Sequence, residues 1–303
     1  MAGVITRSAH PAALWPGVKA HFGLAYKEKP EQYSQVFMMD KSKKHYEEDV
    51  ESTGFGLAVV KPEGESIAYD SSQQGYTSRY QHVTYGLGCV VTREAIEDNL
   101  YSEKAMAGAR ALAFGMRQTK EIVHANHFNR AFDPAFPGGD GAAMCSATHN
   151  TLAGDASNVL AVAADLSEAS LEQALIDIRC INNSRGLQIS VQGEKLIVPK
   201  QLQFIAERII ETNLRVGTDL NDVNAIKSMG LIPQGIMVWD YLTDPDAWFL
   251  KTSVMHGLKC YQRRAREFKR DNDFDTENAK MKTTERYSFG HSDWRGVFGS
   301  SGA

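Results

Sequence analysis

Gly75-Tyr-Thr-Ser-Arg-Tyr-Gln-His-Val-Thr-Tyr-Gly-Leu-Gly88 leads directly into Cys89-Val-Val-Thr-Arg-Glu-Ala-Ile-Glu-Asp-Asn-Leu-Tyr101. The first half has period two. Tyr76, Ser78, Tyr80, His82 and Thr84 share one face of a strand, and Thr77, Arg79, Gln81, Val83 and Tyr85 share the other. Neither face is apolar enough to build a core. Ser71-Ser-Gln-Gln-Gly75 reads as a turn before this strand, and Glu65-Ser-Ile-Ala-Tyr-Asp70 as its partner, giving a long hairpin. A two-stranded ribbon of such polarity is marginal alone in water, so it needs a docking surface.

At Thr92 the period changes. Thr92 fits a helix N-cap, and Glu94, Glu97 and Asp98 suit the positive end of the dipole. Ile96, Leu100, Ala107, Ala111, Phe114 and Ile122 recur near the helical repeat and predict a helix over 92–127. Alanine and glycine between 105 and 115 make it slim. About 35 residues at ~1.5 Å each span roughly 50 Å, against a mean of about 11–12 residues for helices in globular domains. Such a rod belongs to a flattened, extended molecule.

Upstream, residues 1–50 read as an arm. Leu14, Trp15, Val18, Phe22, Tyr26, Tyr33, Val36 and Phe37 are too scattered for a core of their own, and Pro16, Gly17, Gly23 and Pro30 interrupt them. A short helix is expected around 30–39. The arm must lie on its own body or on a neighbour.

Downstream, Phe132-Asp-Pro-Ala-Phe-Pro-Gly-Gly-Asp140 ends the long helix, and 143–147 is a short strand or turn. Leu171, Ala174, Leu175 and Ile178 give one apolar face to a helix after Ser167. Strands are expected at 188–191 and 196–198. Pro199 opens a further helix whose stripe is Leu202, Ile205, Ala206 and Ile209. Ile236–Leu242 and Ala247–Thr252 are strands joined by the turn 243–246, and 258–270 and 279–290 are extended. The order is mixed α+β, without the regular alternation of a nucleotide-binding sheet.

Composition narrows the function. The chain has 303 residues, 43% hydrophobic, with a net charge of −4: enough apolar content for a real core, and no general affinity for nucleic acid. Residues 251–303 hold eleven Lys and Arg against seven Asp and Glu, so this tail carries +4 and the remaining residues −8. Opposed regions of this kind attract across subunits. No apolar run approaches the ~20 residues of a membrane-spanning helix, and the first residues lack the apolar block of a signal peptide. The chain is expected to stay in the compartment where it is made. Cys89, Cys145, Cys180 and Cys260 are far apart and read as free thiols.

Four groups of residues carry chemical promise. Cys145 and His149 have the spacing of a nucleophile and base, without an orienting third residue; packed Cys and turn His is the alternative. His124 and His127 are half a metal site, or helix-terminal residues favoured by the dipole. Pro137-Gly-Gly-Asp-Gly141 lacks the Lys-Ser/Thr of a phosphate loop and reads as a turn. Arg263, Arg264, Arg266, Lys269 and Arg270 form a basic run, with Asp271, Asp273 and Asp275 behind it; the acids favour protein–protein ion pairs over nucleic acid. No catalytic, cofactor-binding or metal residue is assigned.

The order of these segments is similar to that of a known family. Gly75–Gly88 running into Val91–Tyr101, Leu196–Leu202, Leu242–Thr252 and the tail Arg286-Tyr-Ser-Phe-Gly-His-Ser-Asp-Trp-Arg-Gly-Val-Phe-Gly299 together resemble the Hong Kong 97-type major capsid proteins of tailed bacteriophages, and within them the Mu-like major head subunits. The resemblance implies an α+β capsid fold divided into an N-terminal arm (1–50), an extended hairpin loop (51–91), a peripheral domain with a spine helix (92–182), an axial domain (183–245) and a return to the peripheral domain (246–303). It implies a structural subunit, not an enzyme, that assembles with itself into the hexamers and pentamers of an icosahedral shell around double-stranded DNA. Portal, separate scaffolding and decoration proteins are the implied partners, without membrane or cofactor. The implied location is the virion, after synthesis in the bacterial cytoplasm. Some relatives join subunits through Lys–Asn cross-links; Lys61 and Asn278 are of the right type, but no motif pairs them and none is expected. An encapsulin-like compartment, or a cysteine hydrolase using Cys145 and His149, are the alternatives.

Overall fold

The structure is a computed structural model that describes residues 22–28, 30–92, 94, 101–214, 222–255, 257–273 and 277–303. The first helical turns are at 22–27 (α1), followed by a 3-10 turn at Tyr33–Gln35. Strands β1 (Met38–Lys41), β2 (Tyr46–Ser52), β3 (Gln74–Gln81) and β4 (Val83–Val91) precede the long helix α2 (Tyr101–Asn129). A small hairpin, β5 (His149–Thr151) with β6 (Gly154–Ala156), leads to α3 (Glu168–Arg179). Then come β7 (Gly193–Val198), α4 (Gln203–Glu211), α5 (Ala225–Ser228), β8 (Ile236–Val238) and β9 (Trp248–Thr252). The chain ends with β10 (Leu258–Asn272), β11 (Ala279–His291) and β12 (Val297–Ser300).

Two four-stranded sheets organise the body, in the orders β1-β10-β11-β4 and β12-β9-β7-β8. The second is covered on both faces, which is why β7 reads as the unbroken apolar run Leu196-Ile197-Val198, all fully buried. Leu196, Val198, Trp248, Leu250 and Phe298 meet helices α3 and α4 on one side. Ile197, Met237, Trp239 and Phe249 meet Phe37, Phe128 and Met144 on the other. Ser167 caps α3 in a reciprocal capping box with Ser170, and its expected face of Leu171, Ala174, Leu175 and Ile178 is buried. On α4 the buried stripe is Leu202, Ala206 and Ile210, while Ile205 is exposed, one residue out of the expected register.

The long helix departs further from its pattern. Its described part has 29 residues, about 43 Å at 1.5 Å per residue; residues 93 and 95–100, including Ile96 and Leu100, lie outside the described residues. Of the expected stripe, Phe114 and Ile122 are exposed. The buried face is instead Ala109, Leu112, Ala113, Met116, Lys120, Glu121, His124, Ala125 and Phe128. Charged residues sit on it because each finds a partner far away in sequence. Lys120 pairs with the buried Glu285 on β11 at 3.0 Å. The Glu121 carboxylate accepts from the backbone N–H groups of Gln32 (2.7 Å) and Tyr33 (3.1 Å). Arg117 donates to the carbonyls of Tyr26 and Pro30.

These bonds settle where the described part of the predicted arm lies. Phe22 and Tyr26 pack into one core cluster, Tyr33, Val36 and Phe37 into another, and β1 joins β10 in parallel register. Residues 22–28 and 30–41 are part of the body. The helix expected at 30–39 is only the 3-10 turn. The strand expected at 188–191 is reduced to a single bridge between Asn182 and Gln188.

The hairpin also differs. Its first strand is β2, antiparallel to β3; the expected strand at 65–70 belongs to an irregular tip, 53–73. The continuous strand expected from Tyr76 to Val91 is divided at His82. Before it, β3 pairs with β2; after it, β4 pairs with β11.

Candidate functional site

The surface that distinguishes this molecule is the excursion from Tyr46 to Gln81. Its root is the ribbon β2–β3. On β2 the residues alternate, with Tyr46, Glu48, Val50 and Ser52 outward and Glu47, Asp49 and Glu51 inward. The inward carboxylates hold the ribbon to the body. Asp49 accepts from Lys259 Nζ at 2.6 Å, from the Tyr261 hydroxyl and from the Ser292 hydroxyl. Glu51 accepts from Ser184 and from Arg295 Nη1 at 3.3 Å. Glu47 accepts from Ser42 at 2.7 Å and Lys44 at 3.0 Å. On β3 the face expected from the alternation is the inner one: Ser78, Tyr80 and His82 are buried, Tyr80 bonding Ser292 at 2.5 Å and lying edge-on to Tyr261. Burial disfavours the Asp49 charge, but the Lys259 and Ser292 bonds outweigh it and hold the carboxyl below its usual range. The Ser42 and Lys44 bonds do the same for Glu47.

His82 sits where the strand passes from ribbon to sheet. Its ring bonds Ser42 at 3.1 Å and Ser288 at 2.9 Å. Burial, then the nearby Arg286, pulls its pKa down, which favours the neutral ring. Gly138 and Gly139, read from sequence as turn formers, also serve contact. A Cβ on Gly139 would stand 2.5 Å from Ser78 Oγ, and one on Gly138 2.4 Å from His291 Nε2, so the loop lies flat against the root.

The tip, 53–73, is different. Asp70 pairs with Arg185 at 2.8 Å and Ser71 O accepts from the same guanidinium, which fixes the end nearest the root. Beyond that, Phe55, Leu57, Val59, Val60, Ile67 and Tyr69 stand 63–95% exposed. Isolated exposed apolar residues are ordinary, but six within one short segment mark a contact surface.

The residues singled out for chemistry are placed otherwise. Cys145 is buried, and burial pushes its thiol up, away from the reactive thiolate. His149 is fully buried and bonded to Asp140 Oδ2 at 2.5 Å and Asn158 Oδ1 at 3.0 Å, stacked on Trp294 at 4.2 Å; it braces the loop. The His124 ring lies against Lys120 O and Cys260 Sγ, while His127 meets His291 at 3.1 Å. The two helix histidines therefore have separate partners. Burial lowers both, His124 to about 3. Among the described residues no group of three or more His, Cys, Asp or Glu side chains is placed to hold a metal, and no helix is long and apolar enough to cross a membrane. In the basic run, Arg266 covers the rings of Phe22 and Tyr26, and Lys269 pairs with Glu267.

The model of a family described as phage capsid protein matches residues 75–299, well over half of the chain. The chain belongs to the phage capsid protein family. No curated protein sequence is similar enough to count as a relative. Solved structures share the fold at low identity. A chain of Mycobacterium phage Patience is 11% identical with a TM-score of 0.52, covering 99% of this chain and 89% of that one. A chain of Microbacterium phage Oxtober96 is 8% identical with a TM-score of 0.51, covering 90% and 91%. A chain from the capsid of a native GTA particle is 9% identical with a TM-score of 0.52, covering 88% of each. The α+β architecture is the Hong Kong 97-type capsid fold, and the chain is a phage capsid protein. For a capsid protein the candidate site is a contact surface, and the excursion 46–81 carries six exposed large apolar side chains at its tip.

Part of this site is legible in the sequence. Period two on β3 disclosed the ribbon's inner face. The first strand was missed because Tyr46-Glu-Glu-Asp-Val-Glu-Ser52 is mostly charged; the sign available was the alternation of its acids, which share a face at 47, 49 and 51.

Proposed function

We propose that this capsid protein forms the hexamers and pentamers of an icosahedral head that encloses double-stranded DNA, with the tip 53–73 of each copy lying on an adjacent copy. The observation that carries the reading is that six large apolar side chains of the tip stand exposed among the described residues while the root beneath them is bonded to the body. An exposed apolar segment without a core of its own gains stability when another surface covers it. Interfaces of ~1,600 Å² repeated around each subunit make a lattice far more stable than any single pair.

The reading includes a partition into a peripheral domain, 92–182 with 246–303, and an axial domain, 183–245. It includes synthesis in the host cytoplasm, assembly with portal and scaffolding proteins, optional decoration proteins, and no catalytic role. The buried thiol of Cys145 and the fully engaged ring of His149 support the last point. Membership of the Mu-like branch rests on the quoted segments at 75–101, 196–202, 242–252 and 286–299.

The test is excision of residues 54–72 with a short glycine link across Thr53 and Gln73, whose backbones already bond each other at 3.0 Å. The shortened chain is expected to fold, with an unchanged circular dichroism spectrum, and to give no closed shells by electron microscopy. Complete shells from it would refute the role of the tip. Shells of the full chain that hold cargo protein in place of DNA would favour a compartment over a phage head.

A further inference from the structure

Beyond His82 the extended segment helps to build a second surface, on the opposite side of the sheet from α2. Thr84, Gly86, Gly88 and Val90 of β4 stand opposite Arg286, Thr284, Lys282 and Lys280 of β11. The intervening β11 residues Met281, Thr283, Glu285 and Tyr287 are the buried ones, so this set faces away from the helix. On the far side of β11, β10 places Lys269 opposite Lys282 and Arg264 opposite Arg286. Like charges directly opposed on antiparallel strands are destabilising unless an anion neutralises them. Glu267 answers Lys269, Asp273 answers Lys280, and Arg264 donates to the Thr284 hydroxyl at 3.3 Å. Among the described residues, Lys282 and Arg286 have no carboxylate at ion-pair distance. Beside them β4 is flat: a Cβ on Gly88 would stand 3.1 Å from the Met281 carbonyl. This is a smooth, basic strip with Val90 exposed at its end.

The chain also carries a segment with the complementary character. The tip has Glu63 and Glu65 against the single cation Lys61, all exposed, among Val59, Val60 and Ile67. Its remaining acid, Asp70, is taken by Arg185.

A copy's own tip cannot reach its own strip. The extended run 74–91 follows β11 and its continuation in one direction. Val91 lies opposite Ala279 and Val83 opposite Tyr287; Tyr80 then lies against Gly290, and the root's far end is held by Arg295 and Arg185. From Gln74 to Gly88 is 14 residues, up to about 46 Å at ~3.3 Å each. The tip starts from the end that points away.

We propose that the tip of a second copy lies along the strip formed by Gly86, Gly88 and Val90, with its Glu63 and Glu65 against Lys282 and Arg286. This rests on the reading of the tip as a copy-to-copy contact and names its landing site. Donor and acceptor surfaces lie at opposite ends of one chain, so the contact is heterologous and head-to-tail, the kind that generates rings when its rotation closes. It also gives the excess positive charge of the tail its counterpart.

The experiment is a charge exchange in the full chain, with assembly followed by sedimentation and electron microscopy and folding by thermal melting. The variants K282E/R286E and E63K/E65K are each expected to melt like the unaltered chain and to lower shell yield about tenfold or more, because like charges then meet across the contact. The four-fold variant is expected to recover most of the yield. In parallel, Glu65→Cys with Lys282→Cys in a Cys180→Ser background is expected to give oxidised ladders of linked copies within shells. Normal shells from K282E/R286E, failure of the four-fold variant to recover, or absence of ladders would each overturn the landing site. The excision of 54–72 tests the underlying reading separately, since it removes the tip wherever it lands.

Discussion

The root and the tip of the excursion are made from one stretch of chain, yet they solve opposite problems. The root is polar and has partners: Asp49, Glu51 and Glu47 each meet a cation or hydroxyl of the body. The tip is richer in apolar residues, and beyond the Asp70–Arg185 pair these stand uncovered among the described residues, with Val60 93% and Tyr69 95% exposed. Hydrophobicity alone would place the tip inside and the root outside. The arrangement is reversed because a buried polar group costs little once it is bonded, while an apolar group in water gains only when a further surface arrives. The root is thus the part finished within one chain, and the tip the part finished by another.

Breaking this contrast should give graded effects. Excision of 54–72 is the largest, abolishing shells while sparing the fold. The cut stops short of β3, whose continuation holds the buried Tyr80 and His82. Next, Asp49→Ala would leave Lys259 without its 2.6 Å partner. Removing one partner of a largely buried pair costs about 2–3 kcal/mol where some solvent reaches it; chemical denaturation should show this, with hydrogen exchange rising first in 46–52. Acid should act in the same place more gradually. The Asp49 and Glu47 carboxyls lie below their usual range in the folded chain. Their stabilisation is therefore complete above the unfolded values near pH 4 and is lost as pH falls through the lower folded values. Hydrogen exchange of β2 measured from pH 6 downward should accelerate below about pH 4, before β7 does. The smallest effect belongs to Arg79→Ala, whose partner Glu48 is on the outer face; water screens an exposed pair of this kind, and melting should hardly move.

The long helix shows the same lesson from inside the body. Phe114 and Ile122 formed the visible stripe, but the face that packs carries Lys120, Glu121 and His124. Lys120 is buried because Glu285 is there to meet it, and Glu121 because the backbone of Gln32 and Tyr33 needs an acceptor. Local periodicity assigns a side chain by its own polarity and has no access to a partner 165 residues away.

Short-range physics made much of the inventory of elements legible along the chain. Period two marked β3, extended stretches marked β10 and β11, and a short strand at 196–198 marked β7. A serine cap placed α3, proline opened the turn before α4, and the order of segments identified the family. Which polar groups are satisfied, and by whom, came from the folded arrangement alone. That governs the burial of Lys120 and Glu121, the docking of 22–28 and 30–41 on the body, the identity of β2, and the break at His82 where one strand serves two sheets. Each depends on a bond between groups distant in sequence, and the free energy of a polar side chain is set by its partner more than by its type.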